Sequence, residues 1–383
     1  MTGILKGYTA GTHRLVSPER TLERVTPHLA ACGITRCADV TGLDRLGIPV
    51  YCAIRPSGRV VQVYNGKGLR HVDAKVSALM EAIEVFHREA GTAAVRASFN
   101  AMHQAARDAI PPELFPGFRL NGYYDPNYVI GWIEAEDLLA GRQVWVPASL
   151  VYPSTPALYD WSTNGLASGN HRVEATLHGL YEVIERDTIS RLTSNGRLDL
   201  GARCRFVDLA TTEGPVAALC EAVWRADLKL VLIAVEGAVP VATFWAVLLD
   251  GNPLSWSSRV RVGYGSHLSA QVAATRAITE AAQSRLTFIH GAREDLSGKG
   301  SYGQGDPSER LYDYFDRIQG TTPWAAFRDD AGDDLEKDYG RLLGQLQAAG
   351  YRHIYRVDLT RSPFDIPVIT VFVCGMTCNL RLF

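Results

Sequence analysis

Apolar positions along the chain repeat with two periods, which predict where helices and strands form. A period of three to four residues predicts helices over residues 17–31, 73–106, 172–194, 269–290 and 334–349. Short apolar or alternating runs predict strands over residues 34–41, 50–54, 59–64, 128–134, 143–146, 204–208, 229–235, 241–249, 259–262, 353–358 and 367–373. No low-complexity linker and no strict strand–helix–strand repeat interrupts this pattern. The sequence therefore predicts a mixed α/β (α+β) fold, one unit over residues 1–383, with long helices packed on mostly antiparallel sheet.

The charges are nearly balanced, which narrows the range of partners. The 383 residues include 39 basic and 41 acidic side chains, for a formal net charge of −2. Such a chain lacks the basic field that nucleic-acid binding requires.

The longest apolar stretch, residues 230–249, is interrupted by Glu236, Gly237 and Pro240. It therefore predicts two buried strands and not a membrane span.

The N-terminal segment and the cysteines both indicate a cytoplasmic protein. Residues 1–7 lack the apolar core and cleavage site of a signal peptide. The seven cysteines are an odd number without a Cys-x-x-Cys pair, so we expect reduced thiols. Cys374 and Cys378, near the end of the chain, are the pair to consider for a metal or redox role.

Two of the long helical patterns carry stripes of charged residues. Glu81, Glu84 and Arg88 stand at i, i+3 and i+7, which places them on one narrow face at about 100° per residue. The next long helix carries acids at i, i+8 and i+11, within about 80° on a helical wheel: Glu174, Glu182 and Glu185. Each stripe alone is compatible with a solvated face paired to Arg or Lys.

The third long helix adds a further polar face. Arg276, Glu280 and Gln283 share that face, whereas Arg285 points away from it in a regular helix. Clustered carboxylates repel one another unless a cation neutralises them. Hard oxygen donors without Cys or His suit Mg²⁺, which commonly bridges carboxylates and nucleotide phosphates. Three polar helix faces in one chain therefore favour a metal-loaded phosphate site.

Two glycine-rich runs precede helices and offer local anion contacts. Gly66-Lys67-Gly68 lies before the first long helix, and the run 263–267 (Gly-Tyr-Gly-Ser-His) lies before the third. Both can be simple turns, or can direct backbone N–H groups at an anion. No Gly-x-Ser-x-Gly elbow is present. His178 lies on the acidic face as a candidate base, with core packing as the alternative.

These residues resemble the pattern of the YcaO family, ATP-dependent enzymes that activate peptide-backbone amides. The pattern Ser-x3-Glu-x2-Glu, then Asn with Glu-x7-Glu-x2-Glu-Arg, then a Glu/Gln/Arg cluster, is present across nearly the whole chain. The resemblance implies a YcaO-type ATP-binding domain in which no protein nucleophile is required. It implies that Mg²⁺ is bound by Glu81, Glu84, Glu174, Glu182 and Glu185. It implies that ATP is contacted by Lys67, Ser77, Asn170, Arg186, Gln283 and Arg285.

Further runs resemble the branch of that family that acts with a TfuA partner. They include 11–14 (Gly-Thr-His-Arg), 41–49 (Thr-Gly-Leu-Asp-Arg-Leu-Gly-Ile-Pro) and 162–169 (Ser-Thr-Asn-Gly-Leu-Ala-Ser-Gly). That branch is associated with thioamide formation in ribosomally made peptides, so the resemblance implies a precursor peptide and a TfuA-like partner. The chain ends without the Pro-rich terminus of azoline-forming cyclodehydratases, and Val85 and Ala175 depart from the common pattern.

Several alternatives stay open at this level. Within the family these are azoline-forming cyclodehydration and amidine formation. A different class is a catalytically silent subunit that binds nucleotide or peptide for a partner enzyme. The first 70 residues fit the core and leave no room for a fused leader-binding domain, so we expect a second protein to recognise the peptide. A homodimer is the default expectation for the oligomeric state.

Overall fold

The computed structural model describes residues 3–59, 61–120, 122–153, 156–194, 197–252, 259–291 and 307–379. Over these residues the chain forms the helices α1 (Pro18–Val25), α2 (His71–Glu89), α3 (Phe99–Gln104), α4 (Arg172–Ser190), α5 (Gly214–Arg225), α6 (Ala270–His290), α7 (Pro307–Asp316) and α8 (Leu335–Ala348). None of these helices combines the length and the apolarity that a membrane span requires.

The strands pair antiparallel in every sheet that the described residues form. They are β1 (Arg36–Asp39), β2 (Val50–Ile54), β3 (Val63–Lys67), β4 (Val95–Ala97), β5 (Ile130–Asp137), β6 (Arg142–Pro147), β7 (Leu166–Ser168), β8 (Thr193–Ser194), β9 (Arg197–Leu198), β10 (Cys204–Phe206), β11 (Lys229–Val235), β12 (Ala242–Leu249), β13 (Val260–His267), β14 (Ile354–Asp358) and β15 (Val368–Val373). The predicted fold class, long helices with antiparallel sheet, is confirmed.

The chain divides into two compact units, and the division falls inside α2. The first unit contains Met1–Ile4, Glu84–Arg191 and Asp334–Phe383, and the second contains Leu5–Ile83 and Leu192–Asp333. Each unit has its own sheets and helices. The expectation of one domain over residues 1–383 stays a prediction.

The first unit is built on a six-stranded sheet. Its strand order is β4-β5-β14-β15-β7, and β6 also pairs with β5. Helix α4 packs on β15 and β7, and α8 packs against α4. The core includes the fully buried side chains of Trp132, Leu180 and Val371. Helix α4 is buried along most of its length, so its packing on the sheet determines which of its residues face away from the sheet.

The second unit contains a four-stranded sheet, β10-β11-β12-β13, and a three-stranded sheet, β1-β2-β3. Helix α6 packs closely on β12, β13 and β3, and α5 packs on β11 and α6. Alanines on α6, among them Ala273, Ala277 and Ala281, are fully buried in the core beneath the four-stranded sheet. Small side chains allow the helix axis to approach the sheet.

The glycines of both runs, except Gly68, lie in strands, so their interpretation as simple turns is wrong, whereas a contact of these runs with an anion stays a prediction. Gly263 and Gly265 belong to β13, where an added Cβ would overlap the backbone of α6. Gly66 and Lys67 end β3, where an added Cβ on Gly66 would overlap the backbone nitrogen of Ala78 on α2. These glycines permit close packing of helix on strand, because only a residue without Cβ leaves space there.

We predict that Gly66→Ala destabilises the protein by about 3 kcal/mol, because the neighbouring atoms belong to the backbone of α2 and cannot rotate away. Gly340→Ala is the matched control, since Gly340 lies on α8 with nothing within 4 Å of an added Cβ. That control should raise stability by about 0.5–1 kcal/mol. Denaturant midpoints measure both changes, and equal midpoints for the two variants would contradict the packing role of Gly66.

Several predicted boundaries differ from the structure. The helix predicted over 73–106 is two helices, α2 and α3, separated by β4. The break contains Gly91, where an added Cβ would overlap the ring of Tyr152, a residue distant in sequence. Helices α5 and α7 and strand β7 were not predicted. The run 293–308 is polar and rich in glycine, which predicts a loop. It lies outside the described residues except at its last two positions, which begin α7.

Candidate functional site

The N-terminus of α4 is organised by the carboxylate of Glu174. His171 caps the helix, its Nδ1 accepting from the N–H of Val173 at 3.2 Å. Glu174 Oε1 accepts from the backbone N–H of Asn170 at 3.0 Å and from its Nδ2 at 3.3 Å. Glu174 is 2% exposed. A carboxylate in the first turn also interacts favourably with the positive end of the helix dipole. The structure thus couples two of the predicted site residues directly.

Further along α4, Glu182 forms an ion pair with Arg186 at 3.5 Å, and their side chains are 20% and 23% exposed. Glu185 is buried. At about 1.5 Å per residue, Glu174 and Glu182 are about 12 Å apart along the axis, whereas Glu182 and Glu185 are about 4.5 Å apart. The carboxylates of α4 therefore line an extended face, which suits a long phosphate ligand bridged through Mg²⁺ better than a single ion.

The part of α2 in the first unit contributes Glu84. The hydroxyl of Ser168, buried in β7, donates to Glu84 Oε1 at 2.5 Å. The sequence run 162–169 contains Ser168, but the residue pattern did not assign it a role. The serine holds the carboxylate in one orientation. The carboxylate therefore loses less conformational entropy when it binds a cation.

Arg88 has a different role from the one its place in the charged stripe suggests. It is buried, and it donates from Nε to Val151 O at 2.7 Å, from Nη2 to Leu150 O at 3.2 Å and from Nη1 to Ser162 O. Burial lowers the pKa of Arg88 to about 10, and the nearby charge of Glu182 opposes that shift. Arg88 thus anchors a backbone segment beside Glu182.

In the second unit, Lys67 Nζ and Glu280 Oε2 form an ion pair at 2.5 Å. Glu280 Oε1 also accepts from the backbone N–H of Tyr264 at 3.4 Å. Gln283 lies one turn further along α6 and is partly exposed, as are Ser77 and Glu81 on α2. The structure therefore brings Lys67 to α6, although these two residues are more than 200 positions apart in the sequence.

Arg285 lies away from the polar face of α6, as the helical wheel predicted. Its guanidinium donates from Nε to Asp44 Oδ2 at 2.8 Å and pairs through Nη2 with Asp250 Oδ2 at 3.0 Å. All three side chains are at most 4% exposed. Asp44 lies in the run 41–49, which is one of the runs that resemble the TfuA-associated branch. Its role as a partner of Arg285 could not be predicted from that run alone, because Arg285 is distant in sequence.

The donor set fits Mg²⁺ that is shared with phosphate. Among the described residues, no three His, Cys, Asp or Glu side chains gather closely enough to hold a metal by themselves. Mg²⁺ usually takes one or two carboxylates, keeps several waters and completes its shell with substrate phosphates. Pairs such as Glu182 and Glu185 supply hard oxygen donors of that kind, so the residues fit the ion together with a nucleotide.

The thiols do not offer a nucleophile at neutral pH. All seven cysteines are free. Burial raises the pKa of Cys52 and of Cys374 to about 12, which keeps both protonated. The two residues of the C-terminal pair, Cys374 and Cys378, both have raised pKa values because of burial.

A family model described as YcaO cyclodehydratase, ATP- and Mg²⁺-binding, matches residues 65–377. The chain belongs to the YcaO family. The family's description names ATP and Mg²⁺, so the prediction of these two cofactors is confirmed. The assignment of individual residues to them stays a prediction.

Similar proteins cover nearly the whole chain. An uncharacterized protein of Methanothermobacter thermautotrophicus is 35% identical over 94% of this chain and 94% of its own length. An uncharacterized protein from the tfuA 3′ region of Rhizobium leguminosarum bv. trifolii is 33% identical over 99% of this chain and 93% of its own length. YcaO from Methanopyrus kandleri, solved with AMPPCP and Mg²⁺, aligns with a TM-score of 0.77 at 25% identity, over 98% of this chain and 95% of that one.

Proposed function

We propose that this protein uses ATP and Mg²⁺ to replace a peptide-backbone carbonyl oxygen with sulfur, forming a thioamide in a ribosomally made peptide with a TfuA-like partner. Membership of an ATP- and Mg²⁺-binding family supports the use of ATP. The observation that carries the choice of thioamidation is the full-length relative whose gene lies in a tfuA 3′ region. The runs shared with the TfuA-associated branch point in the same direction.

The proposed ligands follow the family pattern. Those for Mg²⁺ are Glu81, Glu84, Glu174, Glu182 and Glu185, and those for ATP are Lys67, Ser77, Asn170, Arg186, Gln283 and Arg285. Lys67 and Arg285 already pair with carboxylates within the second unit, so a phosphate would share or replace these partners. The side chain of Arg186 is 23% exposed, against 4% for that of Arg285, so Arg186 is better placed to offset charge on a phosphoryl group.

The proposed reaction replaces the C=O bond by a C=S bond in three steps. Hydrogen sulfide anion adds to the backbone carbonyl carbon, and the resulting oxyanion takes the γ-phosphoryl group of ATP, which leaves ADP. The C–O bond then breaks, phosphate leaves with the proton from sulfur, and the C=S bond forms. An amide oxygen is a poor leaving group, whereas phosphate is a good one.

The chain's own residues contribute position and charge. Asn170 orients Glu174, Ser168 orients Glu84, and Arg186 holds Glu182. Bound Mg²⁺ would neutralise phosphate charge during transfer. Phosphoryl transfer depends mainly on such positioning and charge neutralisation, so no protein nucleophile takes part.

The family's description favours a second candidate, which is cyclodehydration of a Cys, Ser or Thr side chain onto the preceding backbone carbonyl. In that reaction the internal side chain takes the place of sulfide, and the activated oxygen still leaves as phosphate. Product mass separates the two reactions. Thioamidation raises the mass of the peptide by the difference between sulfur and oxygen, whereas cyclodehydration removes one water.

The first test is calorimetric titration of the purified protein with a non-hydrolysable ATP analogue. We expect micromolar binding, equivalent to about −8 kcal/mol, that disappears when a chelator removes Mg²⁺. Incubation with ATP, sulfide, the TfuA-like partner and the precursor peptides of the same genome then shows the product by mass spectrometry. Absence of Mg²⁺-dependent binding, with and without the partner, would contradict the proposal, and a product that has lost water would replace it by cyclodehydration.

A further inference from the structure

A half-open slot lies at one edge of the four-stranded sheet in the second unit. Its volume is about 650 Å³, within the range of about 300–1,000 Å³ that is typical of ligand sites. The slot is lined by residues 228–232 of β11 and the turn before it, by the end of β10 and the residues after it, by α5, and by the segment 318–320. Among these described lining residues, none is a proposed ligand of ATP or Mg²⁺. The slot therefore needs an occupant of its own.

The walls of the slot lie on opposite faces of the sheet. Leu230 shares a buried cluster with Val223 of α5. The preceding residue, Lys229, donates from Nζ to the carbonyl oxygen of Asp316 at the end of α7. Because successive side chains of a strand point to opposite faces, α5 covers one face of β11, and the end of α7, which leads into the segment 318–320, covers the other. The slot between them opens on the edge of β11 itself.

This edge of β11 carries backbone groups that β10 does not pair. Strand β10 pairs with residues 233–235, and just beyond it Val207 N–H donates to Leu232 O at 2.9 Å. Backbone groups of an antiparallel strand alternate between its two neighbours, so those of Leu230 face the same side as those of Leu232. The chain turns away on that side at Leu209. Within the described ranges the N–H and C=O of Leu230 thus have no hydrogen-bond partner.

The side chains around the edge are mainly apolar. They include Val223, Trp224 and Ile318, and the large indole of Trp224 is 76% exposed. The charged lining residues already have partners within the chain: Lys229 with Asp316, Glu221 with Arg225, and Asp208 with the N–H of Ala210. An uncharged occupant with apolar side chains matches this charge distribution, because it leaves these pairs intact.

We propose that the slot binds an extended, uncharged segment of the substrate peptide, which adds a strand to the edge of β11. The main chain of the segment accepts from Leu230 N–H and donates to Leu230 C=O. Its side chains alternate between Trp224 on one face and Ile318 on the other. The main-chain bonds give affinity and the apolar walls give selectivity. The site rests on the proposed function, because it assigns the segment to the peptide that the enzyme modifies.

Backbone N–H signals of leucine report on this edge by nuclear magnetic resonance of the full chain labelled with ¹⁵N-leucine. Leu230→Ile identifies the signal of Leu230. The probe is acetyl-Thr-Val-Thr-Val-Thr-amide, which is uncharged and favours the extended conformation. We expect the Leu230 signal to move downfield, because its N–H gains an acceptor. Leu342 is the control, since it is buried in α8 of the first unit, and its signal should stay unchanged.

Variants of the protein test the apolar wall. Trp224→Ala should weaken binding of the probe about tenfold, because the probe loses contact with the indole. Tyr123→Ala is the matched control, since Tyr123 is an 89% exposed aromatic residue of the first unit, and its loss should leave binding unchanged. Circular dichroism checks that both variants are folded.

Variants of the probe test the added strand. Neighbouring N–H groups of an extended peptide point to opposite sides, so only one of two adjacent nitrogens can donate to β11. Two probes are therefore compared, one methylated on the nitrogen of its third residue and one on that of its fourth. We expect one of them to bind about tenfold more weakly than the unmethylated probe, and the other to bind within about twofold of it.

The proposal is overturned if the Leu230 signal stays in place up to the solubility limit of the probe, or if both methylated probes bind equally well. A dimer of the chain that Trp224→Ala dissociates, measured by sedimentation, would assign the slot to a second copy instead. Titration with the ATP analogue separates the two proposals. Probe binding without Mg²⁺-dependent nucleotide binding would refute the proposed function and leave the slot as a peptide site, whereas nucleotide binding without probe binding would refute the slot alone.

Discussion

Glu182→Gln should lower peptide-dependent ATP turnover at least about 100-fold while leaving the fold intact. The amide has the shape of the carboxylate but not its charge, so it removes a proposed ligand of Mg²⁺ and the partner of Arg186. Stability should hold, since both side chains reach solvent and Arg186 can be hydrated when its partner is neutral. Phosphate release measures turnover, and thermal unfolding measures the fold.

The control for this variant is Glu134→Gln. Glu134 is an exposed residue on β5 of the same unit, so the same loss of one negative charge should leave turnover within about twofold of the natural protein, because its charge is screened by solvent. If Glu182→Gln still hydrolyses ATP in the presence of peptide and partner, Glu182 is not a ligand in the reaction. A similar loss in both variants would show an effect of net charge alone.

Arg285→Met should destabilise the protein by about 3–5 kcal/mol. The substitution keeps the apolar stem but leaves Asp44 and Asp250 buried without the guanidinium that lies between them. Arg45 still pairs with Asp250 at 3.1 Å, so the larger part of the cost falls on Asp44. The shift of the denaturant midpoint measures the loss.

Arg225→Met gives the comparison for that experiment. Arg225 pairs with Glu221 on α5, and both side chains are more than half exposed, so its loss should cost at most about 0.5 kcal/mol. The proposed function also assigns Arg285 to phosphate. Unchanged stability of Arg285→Met together with loss of nucleotide binding would support that assignment and contradict the structural role.

Much of the secondary structure is predictable from the sequence because it depends on local periodicity. Helices α4, α6 and α8 and strands β11, β12, β14 and β15 lie within a few residues of the predicted ranges. The break after α2 is different. It contains Gly91, where an added Cβ would overlap the ring of Tyr152, and no window of local sequence contains both residues.

The sequence by itself determined the family, the fold class, the cofactors and the acidic stripe of α4, because helical spacing and motif residues are local properties. Only the tertiary structure decided what the neighbouring residues do. It placed the glycine runs in strands against helix backbones. It showed that Arg88 donates hydrogen bonds to a backbone segment distant in sequence, and that Arg285 pairs with Asp44 and Asp250. In each case the partners are far apart along the chain. The free energy of burying a charge, or of packing a helix closely on a strand, depends on the partner as well as on the residue itself.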